Sequence, residues 1–316
     1  MGESTHVVAV DGAESFLGKH IAAELAGRGV RTIGIVLDEG VPVPDGVEKR
    51  AAPLGDTDAT SRALEGATCT ILARKLLVED PARGHTFAAV HVDRTRAFLE
   101  AAQKGPCERL LFVGLSRPER GGTPRSMMSA EDEVEKMLAD SAVPSLYMRT
   151  SLVVGPRDGH VYHLARKAKR PGPLALFVGQ GWARSAPIPA KDFATCVAKL
   201  ALAAEFRTGD VSLGGRERLT TMDMFERLLD HYGHRKMCVH ALESITRLVA
   251  ILNEKWSASP YLTIARLSWL IENRTPEENA ARELLGRFPR PFESAFGPGV
   301  AKRAAEGAPE PAANGS

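Results

Sequence analysis

The stretch that most constrains this chain is residues 6–25, HVVAVDGAESFLGKHIAAEL. A short apolar run rich in valine ends at Gly12, and apolar residues then recur near every fourth position. This change of period predicts a strand, a tight turn and a helix. Gly12 accepts a positive φ in the turn, and Gly18 lets the helix lie close to the strand. Because the N–H groups at a helix start attract phosphate, the stretch is typical of the beginning of a dinucleotide site.

Ser15 departs from the glycine pattern. It stands where the middle glycine of a G-x-x-G-x-x-G turn would be, so a side chain lies where the backbone should approach phosphate most closely. The turn therefore either binds a cofactor or only shapes the fold, since a single glycine motif has low specificity. In the first case the residues in contact with the cofactor are Gly12, Ser15, Phe16, Leu17 and Gly18.

The composition is that of an ordinary globular protein. Charged residues make up 25% of the 316 residues and hydrophobic residues 44%, and the formal net charge is +2. No basic block is typical of nucleic-acid binding, and no run of about 20 apolar residues could span a bilayer. We therefore expect no nucleic acid and no membrane span. The polar N-terminus lacks the pattern of a secretory signal, which favours a cytoplasmic protein.

The cysteines and histidines indicate no metal site. Cys69, Cys107, Cys196 and Cys238 show no C-x-x-C spacing, so neither a zinc site nor a disulfide framework is predicted. The nine histidines lack H-E-x-x-H or a comparable ligand spacing. We expect four reduced thiols and no bound metal.

Apolar strand-like runs alternate with helical periods along the first half of the chain. Short connections between such units predict a parallel sheet covered on both faces, because parallel strands need helical crossovers. The fold class is therefore α/β, with a doubly wound parallel sheet. The expected later strands are residues 31–38, 69–73, 109–114 and 145–149, and the expected later helices are residues 86–104 and 130–140.

Asp38 ends the second predicted strand, about 20 residues after the last glycine of the turn. A carboxylate at this place accepts a ribose hydroxyl in NAD-binding folds, whereas a basic residue favours NADP. Pro42 and Pro44 follow closely, so Asp38 is equally well explained as a solvated turn residue.

Taken together, the segments resemble the extended and atypical short-chain dehydrogenase/reductases, especially the branch similar to the complex I accessory subunit and the NmrA-like proteins. The resemblance runs from about residue 6 to residue 297. It implies a Rossmann fold with a smaller, mainly helical substrate lobe, an NAD or NADP cofactor, and Asp56 among the cofactor-binding residues. The matching segments are residues 12–18, 55–58, 64–66, 91–96, 99–102, 149–156, 187–194, 214–220 and 280–286.

The resemblance also identifies departures at the catalytic positions. The tyrosine and lysine of the family's Y-x-x-x-K motif correspond to Met127 and Glu131, which we place in the substrate-binding wall. Met127 has no ionisable proton, and Glu131 brings negative charge where a developing alkoxide needs a positive potential. The family's serine falls near residues 114–115, with Ser116 one place later. His91, at the position of a family asparagine, and Ser116 are therefore candidates for substitute acid/base groups.

Long basic side chains replace small residues around the expected cofactor site. Arg74 and Lys75 follow the strand at residues 69–73, and Arg94 stands in place of a family glycine. These side chains either reach the cofactor's phosphates, as we assign to Arg74, or crowd the cofactor out. Because an unpaired buried cation is costly, we expect Arg74 and Lys75 to meet an anion, an acidic side chain or solvent.

The substrate lobe is expected to begin just beyond the carboxyl edge of the sheet. His160, Tyr162 and His163 are candidates for proton transfer, although exposed residues at a helix start would look the same. In the loop that follows, Trp182 is suited to walling a pocket and Arg184 to holding an anionic group. Placement on the surface is the alternative for these two residues.

The resemblance divides the chain into two domains and a tail. Helical apolar stripes after Thr220 predict core or a lid, and the residues Trp256, Tyr261, Trp269 and Leu270 predict either a hydrophobic substrate or a subunit interface, hence a homo-oligomer. The Pro- and Gly-rich tail is expected to be disordered. The expected divisions are residues 1–155 with 188–213 for the Rossmann domain, residues 156–187 and 214–297 for the lobe, and residues 298–316 for the tail.

Three functions fit these features. The first is an NAD(P)-dependent oxidoreductase that acts on a small, hydrophobic organic molecule with a non-standard acid/base set. The second is a cofactor-independent isomerase or cyclase that uses the emptied nucleotide cleft. The third is a non-catalytic dinucleotide sensor or accessory subunit. The altered catalytic positions favour the second and third functions more than is usual for this fold.

Overall fold

The structure of the chain is a computed structural model. His160, Tyr261, Trp269 and Leu270 lie outside the residues that it describes, as does the predicted tail from residue 299 onwards. None of the described helices is long and apolar enough to cross a membrane. The described segments are residues 6–76, 79–118, 125–158, 161–178, 181–256, 273–276 and 278–298.

A seven-stranded parallel sheet lies at the centre, which confirms the predicted α/β, doubly wound fold. In their side-by-side order, its strands are β3 (Val47–Ala51), β2 (Arg31–Val36), β1 (Val7–Asp11), β4 (Cys69–Leu72), β5 (Arg109–Leu115), β6 (Ser145–Thr150) and β11 (Gly209–Leu213). The chain builds outwards from β1 to β3 and then returns to β4 on the other side of β1. The strand order reverses there, and open α/β sheets bind ligands at the carboxyl ends of such strands.

Helices cover both faces of the sheet because alternate strand residues point to opposite sides. In β1, Val8 and Val10 belong to one apolar cluster and Ala9 belongs to the other. The helices of the first face are α1 (Phe16–Gly27), α6 (Ala190–Ala201) and α9 (Ala281–Leu285), and those of the second face are α2 (Thr57–Ala63), α3 (Arg94–Lys104) and α4 (Arg125–Ala139).

The segment predicted as one helix over residues 86–104 has two parts. A π-helical segment, Ala88–Asp93, precedes α3 and carries His91 on its buried side. Such π-helical segments are uncommon and occur often at functional sites. His91 is fully buried, and α4 packs against this π-helical segment.

Residues 188–213 return to the central sheet. Helix α6 packs against α1, and β11 pairs with β6 as the outermost strand on that side. Asp192 in the first turn of α6 is fully buried and accepts hydrogen bonds from Arg287 and Arg290 at 2.7 Å and 2.8 Å. These ion pairs attach the segment that follows α9 to the helices on the first face of the sheet.

Several of the remaining elements contribute to a third, smaller apolar cluster, which includes Phe177 and Phe225 in edge-on contact, with 4.7 Å between their ring centroids. The described chain after Thr220 is mainly helical, as predicted, with one short strand, MCVHA, that pairs in parallel with the strand Leu174–Val178. The elements are β7 (Leu152–Val154) with β10 (Pro187–Pro189), β8 (Leu174–Val178) with β13 (Met237–Ala241), β9 (Arg184–Ser185) with β12 (Leu219–Thr220), and α5 (Val161–Lys169), α7 (Thr221–Tyr232) and α8 (Glu243–Trp256).

Two glycines of α1 give a matched test of the packing of this helix on β1. A Cβ on Gly18 would lie 2.1 Å from the Gly12 carbonyl oxygen, whereas a Cβ on Gly27 meets no atom within 4 Å. We expect Gly18→Ala to lower the free energy of unfolding by about 2 kcal/mol, because the helix must move away from the strand. Gly27→Ala should raise it by about 0.5 kcal/mol, because alanine favours helix. Urea unfolding measures both, and equal effects of the two substitutions would contradict the close approach.

Candidate functional site

The glycine turn, residues 12–18, lies at the carboxyl end of β1, where the strand order reverses. Gly12 has a φ of +78°, and its N–H donates to the Ile35 carbonyl at 2.9 Å. The close approach of Gly18 to Gly12 brings the first turn of α1 directly against this strand end. The turn therefore has the backbone geometry of a phosphate-binding helix start.

Local contacts hold Ser15, Phe16 and Leu17 at the start of α1. Ser15 is the N-cap of α1, and its Oγ accepts a hydrogen bond from the Gly18 N–H at 3.2 Å. The Phe16 ring packs edge-on to His20, with 5.0 Å between ring centroids, and Leu17 packs against the apolar cluster of the first face. The side chain at the middle glycine position thus satisfies a helix donor that a phosphate could otherwise take.

Four charged residues, which we name the turn cluster, lie around the glycine turn. They are Asp11, Glu14, Arg74 and Arg94. Arg94 donates two hydrogen bonds to Asp11, at 2.9 Å and 2.7 Å, and a third to the Ala52 carbonyl at 3.0 Å. Arg74 donates to Glu14 at 2.7 Å and lies 3.5 Å from Asp11. The expectation that Arg74 meets an acidic side chain is therefore confirmed.

The two ion pairs of the turn cluster differ in how well they are satisfied. Burial alone would raise the pKa of Asp11, but the charges of Arg94 and Arg74 outweigh it and hold this pKa below its ordinary value. In contrast, Glu14 Oε2 and the Arg74 atoms Nε and Nη2 are buried without a hydrogen-bond partner among the described residues. The Asp11–Arg94 pair is complete, whereas the Glu14–Arg74 pair retains unused hydrogen-bonding capacity.

Asp38 and Asp56 both bind local backbone groups. Asp38 is exposed just after β2, and its Oδ1 accepts the Gly40 N–H at 2.8 Å. Asp56 is the N-cap of α2, and its Oδ1 accepts the Ala59 N–H at 2.7 Å. These contacts account for both carboxylates as turn and helix-cap residues, and their assignment to a cofactor stays a prediction.

A second polar cluster, which we name the buried network, lies between the sheet and α4. It consists of Lys75, His91, Glu131 and Tyr147. Lys75 Nζ donates to Glu131 Oε1 at 2.8 Å, and the Tyr147 hydroxyl donates to Glu131 Oε2. His91 Nδ1 lies 3.4 Å from Glu131 Oε1, and its Nε2 accepts the Leu76 N–H at 3.2 Å. Lys75 thus also meets an acidic side chain, as expected.

Burial determines the protonation states in this network. It lowers the pKa of His91 to about 3, with the Lys75 charge acting in the same direction, so the ring is neutral at pH 7. Since Nε2 accepts a hydrogen bond, the proton of the neutral ring lies on Nδ1, toward Glu131. Burial also lowers the pKa of Lys75, although Glu131 opposes this. The Lys75 charge in turn holds the pKa of Glu131 below its ordinary value despite burial.

Met127 and Glu131 lie inside the protein. Met127 is 1% exposed and belongs to the apolar cluster of the second face, and Glu131 is 3% exposed. Tyr147 reaches Glu131 across Gly114, where a Cβ would lie 2.1 Å from the tyrosine ring. Gly114 therefore provides the space for Tyr147. Both side chains are buried, and their substrate role stays a prediction.

Ser116 lies one residue beyond β5, at the carboxyl edge of the sheet. Its backbone N–H donates to the Thr150 carbonyl at 2.8 Å, and its carbonyl accepts a hydrogen bond from Arg274 at 3.0 Å. The Ser116 hydroxyl is buried and has no hydrogen-bond partner among the described residues. An unsatisfied buried hydroxyl at the ligand-binding edge is a candidate reactive or substrate-contacting group.

The predicted residues of the lobe occupy different environments. Tyr162 and His163 are half-buried in the first turn of α5, where the Tyr162 N–H donates to Asp158 at 3.0 Å. Trp182 is 73% exposed and Arg184 is exposed on β9, so the surface alternative describes both side chains here. Their roles in proton transfer and substrate binding stay predictions.

Asp11, Glu14 and Tyr147 belong to the two polar clusters but have no role predicted from the sequence. The sequence nevertheless contains a signal for each of them. Asp11 is a carboxylate at the end of an apolar strand, Glu14 is a carboxylate inside the glycine turn, and Tyr147 is a tyrosine in a buried strand. Such residues need buried partners. Among the described residues, no group of three or more His, Cys, Asp or Glu side chains is placed to hold a metal ion.

No family model and no curated protein matches the sequence. Solved structures match the fold. The crystal structure of gox2253 matches this fold with a TM-score of 0.68. The two sequences are 23% identical, and the match covers 95% of this chain and 98% of gox2253. The UDP-glucose 4-epimerase of Thermus thermophilus, solved with NAD, has a TM-score of 0.62 and 19% identity over 75% of this chain and 86% of its own.

A third similar structure is the NADPH-dependent quinone oxidoreductase QOR2 of Escherichia coli, complexed with NADPH. Its TM-score is 0.68 and its identity 17%, over 91% of this chain and 98% of that chain. At these identities the likeness establishes the fold. The chain has the Rossmann-type α/β fold that these NAD- and NADPH-bound proteins share.

The Lys75–Glu131 pair allows a double-mutant test of the buried network. Glu131→Gln should lower the free energy of unfolding by about 3 kcal/mol, because it leaves the Lys75 ammonium buried without a counter-ion. Adding Lys75→Met should recover much of this loss, because the pair is then removed as a unit. Chemical denaturation measures each variant. Glu133→Gln is the control, since Glu133 lies on the same helix with a side chain that is 54% exposed. Additive losses in the double variant would contradict the pairing.

The low pKa of His91 predicts a pH-dependent stability. In the unfolded chain a histidine titrates near 6.5, whereas in the folded protein the pKa of His91 is about 3. Between these values the unfolded chain binds more protons, so the free energy of unfolding falls as the pH is lowered, by up to about 1.4 kcal/mol per pH unit. Denaturation between pH 7 and pH 5 should show a shallower slope for His91→Gln than for the exposed-site control His234→Gln. Identical slopes would reject the buried neutral state.

Proposed function

We propose that the chain binds NAD or NADP at the glycine turn and belongs to the short-chain dehydrogenase/reductase-like oxidoreductases. The observation that carries this proposal is the close contact of Gly18 with the Gly12 carbonyl at the strand-order reversal of a parallel sheet. This contact sets the start of α1 against β1, which is the arrangement that receives a pyrophosphate in dinucleotide folds. The likeness to proteins solved with NAD and NADPH supports the assignment.

The residues of the turn fit such a group. Gly12 keeps side-chain atoms away from the turn, and Arg74 supplies a cation with N–H groups that have no acceptor among the described residues. The first N–H groups of α1 would hold the phosphates, together with Arg74. A bound nicotinamide supplies hydride transfer to or from a carbon of the substrate. The chain's own residues would orient the substrate and hold or deliver the accompanying proton.

The proton must come from groups other than the family's tyrosine and lysine. Met127 carries no proton, and Glu131 is engaged by Lys75 and Tyr147. His91 is fully buried with a pKa of about 3, so it is neutral at pH 7 and shielded from a substrate. Ser116, Tyr162 and His163 are the proposed proton-transfer groups, and Ser116 has the clearest support because its hydroxyl lacks a partner among the described residues. We propose a small, hydrophobic carbonyl compound as the substrate class.

One observation favours a second function, that of a non-catalytic dinucleotide sensor or accessory subunit. The side chain at the position of the family's tyrosine, Met127, is packed in the apolar core at 1% exposure. A dinucleotide site whose catalytic positions belong to the core would keep binding while losing hydride chemistry. The two functions share the cofactor and differ in turnover.

A titration with NADH and NADPH tests the shared part of the proposal. We expect saturable binding of at least one of them with a dissociation constant well below about 1 mM, that is, a binding free energy more favourable than about −4 kcal/mol. Ser15→Trp should weaken it at least tenfold, which is about 1.4 kcal/mol, because a bulky side chain then stands in the turn. Ser61→Trp, on the exposed side of α2, is the control. Calorimetry measures all three, and no binding by the wild type would reject the proposal.

Turnover separates the two functions. Oxidation of the bound dinucleotide in the presence of a panel of carbonyl and enone compounds would support the oxidoreductase. Binding without turnover across the panel would favour the sensor or accessory subunit. Under the oxidoreductase proposal, Ser116→Ala should lower kcat by roughly a hundredfold while leaving dinucleotide affinity unchanged.

A further inference from the structure

Glu14 places a carboxylate inside the glycine turn, between two glycines that are expected to receive phosphate. It is bound to Arg74 at 2.7 Å, and its side chain is 20% exposed. We propose that Glu14 is an internal competitor for the phosphate, which holds Arg74 in the ligand-free protein and gives it up to a pyrophosphate-bearing ligand. This inference rests on the proposed function and assigns to Glu14 the control of affinity at that site.

Arg74, rather than Arg94, is the cation free to exchange its partner. Arg94 has three hydrogen bonds and a side chain that is 3% exposed, so its removal from Asp11 would break both hydrogen bonds to a buried carboxylate. Arg74 donates one hydrogen bond, to Glu14; its Nη2 lies 3.5 Å from Asp11, but neither Nε nor Nη2 has a hydrogen-bond acceptor among the described residues. A phosphate offers several acceptor oxygens and can satisfy donors that a single carboxylate oxygen leaves unused.

Geometry places the exchange at the glycine turn itself. A Cβ added to Gly12 would lie 3.0 to 3.1 Å from the backbone and Cβ of Arg74, so Arg74 lies directly beside the turn. Glu14 follows two residues after Gly12 and precedes the N-cap of α1. The guanidinium therefore needs only a side-chain movement to transfer from one anion to the other. The 20% exposure of Glu14 gives its carboxylate a route to solvent once it is released.

Charge explains why Glu14 lowers affinity. The turn cluster holds two carboxylates and two guanidinium groups, so its formal charges cancel. The nearby Lys75 ammonium is paired with Glu131 and adds no free positive charge. A pyrophosphate therefore meets a neutral site and the repulsion of a carboxylate close to its own position. Removal of the Glu14 charge would leave the cluster with a net charge of +1 and would take from Arg74 the carboxylate to which it is hydrogen-bonded.

The test compares two isosteric substitutions on the same segment. Glu14→Gln keeps the shape and one acceptor for Arg74 but removes the charge. Glu24→Gln removes a carboxylate from α1 that binds Arg28 and Thr195, roughly 12 Å further along the helix than its first residue. The ligands are NADH and inorganic pyrophosphate, measured by calorimetry at low ionic strength, with thermal melting as the check on folding.

We expect Glu14→Gln to bind both ligands roughly tenfold more tightly than the wild type, and Glu24→Gln to bind within about twofold of it. In an Arg74→Met background the gain from Glu14→Gln should fall below about threefold, because the exchange partner is missing. If Glu14→Gln still raises the affinity tenfold in the Arg74→Met background, the exchange is overturned and repulsion by the Glu14 charge alone explains the gain.

The outcomes separate this inference from the proposed function. NADH binding by the wild type with no change in Glu14→Gln overturns the inference and leaves the proposed function intact. No NADH binding by the wild type, with tighter pyrophosphate binding by Glu14→Gln, supports the inference and rejects the proposed function. Absence of binding of either ligand to any variant rejects both.

Discussion

The contact between Gly18 and the Gly12 carbonyl is the constraint on which the carboxyl edge of this protein depends. Because position 18 has no Cβ, α1 lies against the end of β1, and its first turn begins directly at the strand-order reversal. That placement puts Ser15 at the helix cap and Glu14 within hydrogen-bond distance of Arg74. The same contact that builds a phosphate-binding turn therefore also brings a carboxylate into it.

Buried charges at this edge are arranged in pairs because an unpaired ion in the interior is too costly. The pairs are not equivalent. Arg94 and Asp11 satisfy each other through two hydrogen bonds and tie β1 to α3, so they serve the fold. Arg74 and Glu14 leave three polar atoms without partners among the described residues, which suits a pair that changes partner. The difference in hydrogen bonding, rather than in charge, distinguishes the structural pair from the functional one.

Much of the fold was predictable from the sequence, because periodicity and glycine placement act over short distances. The turn at Gly12, the parallel sheet and the acidic partners of Arg74 and Lys75 follow from local pattern and from the cost of burying charge. Strand β13 and the π-helical segment around His91 did not follow, since pairing with β8 and packing under α4 are tertiary effects. The buried network could not be predicted either. Its four residues are far apart in sequence, and no local pattern indicates that they meet in the folded protein.

The packing around Glu131 explains why the residues of the buried network depend on one another. Tyr147 occupies the space above Gly114, its hydroxyl binds Glu131, and Glu131 neutralises Lys75, which lies over the Phe112 ring at 4.1 Å. A tyrosine at position 127 would have to enter an apolar core that Met127 already fills, and a lysine at position 131 would face Lys75. Restoring either residue alone therefore creates overpacking or like-charge contact. The Ser116 hydroxyl, one residue beyond β5, is not part of this network and has no hydrogen-bond partner among the described residues.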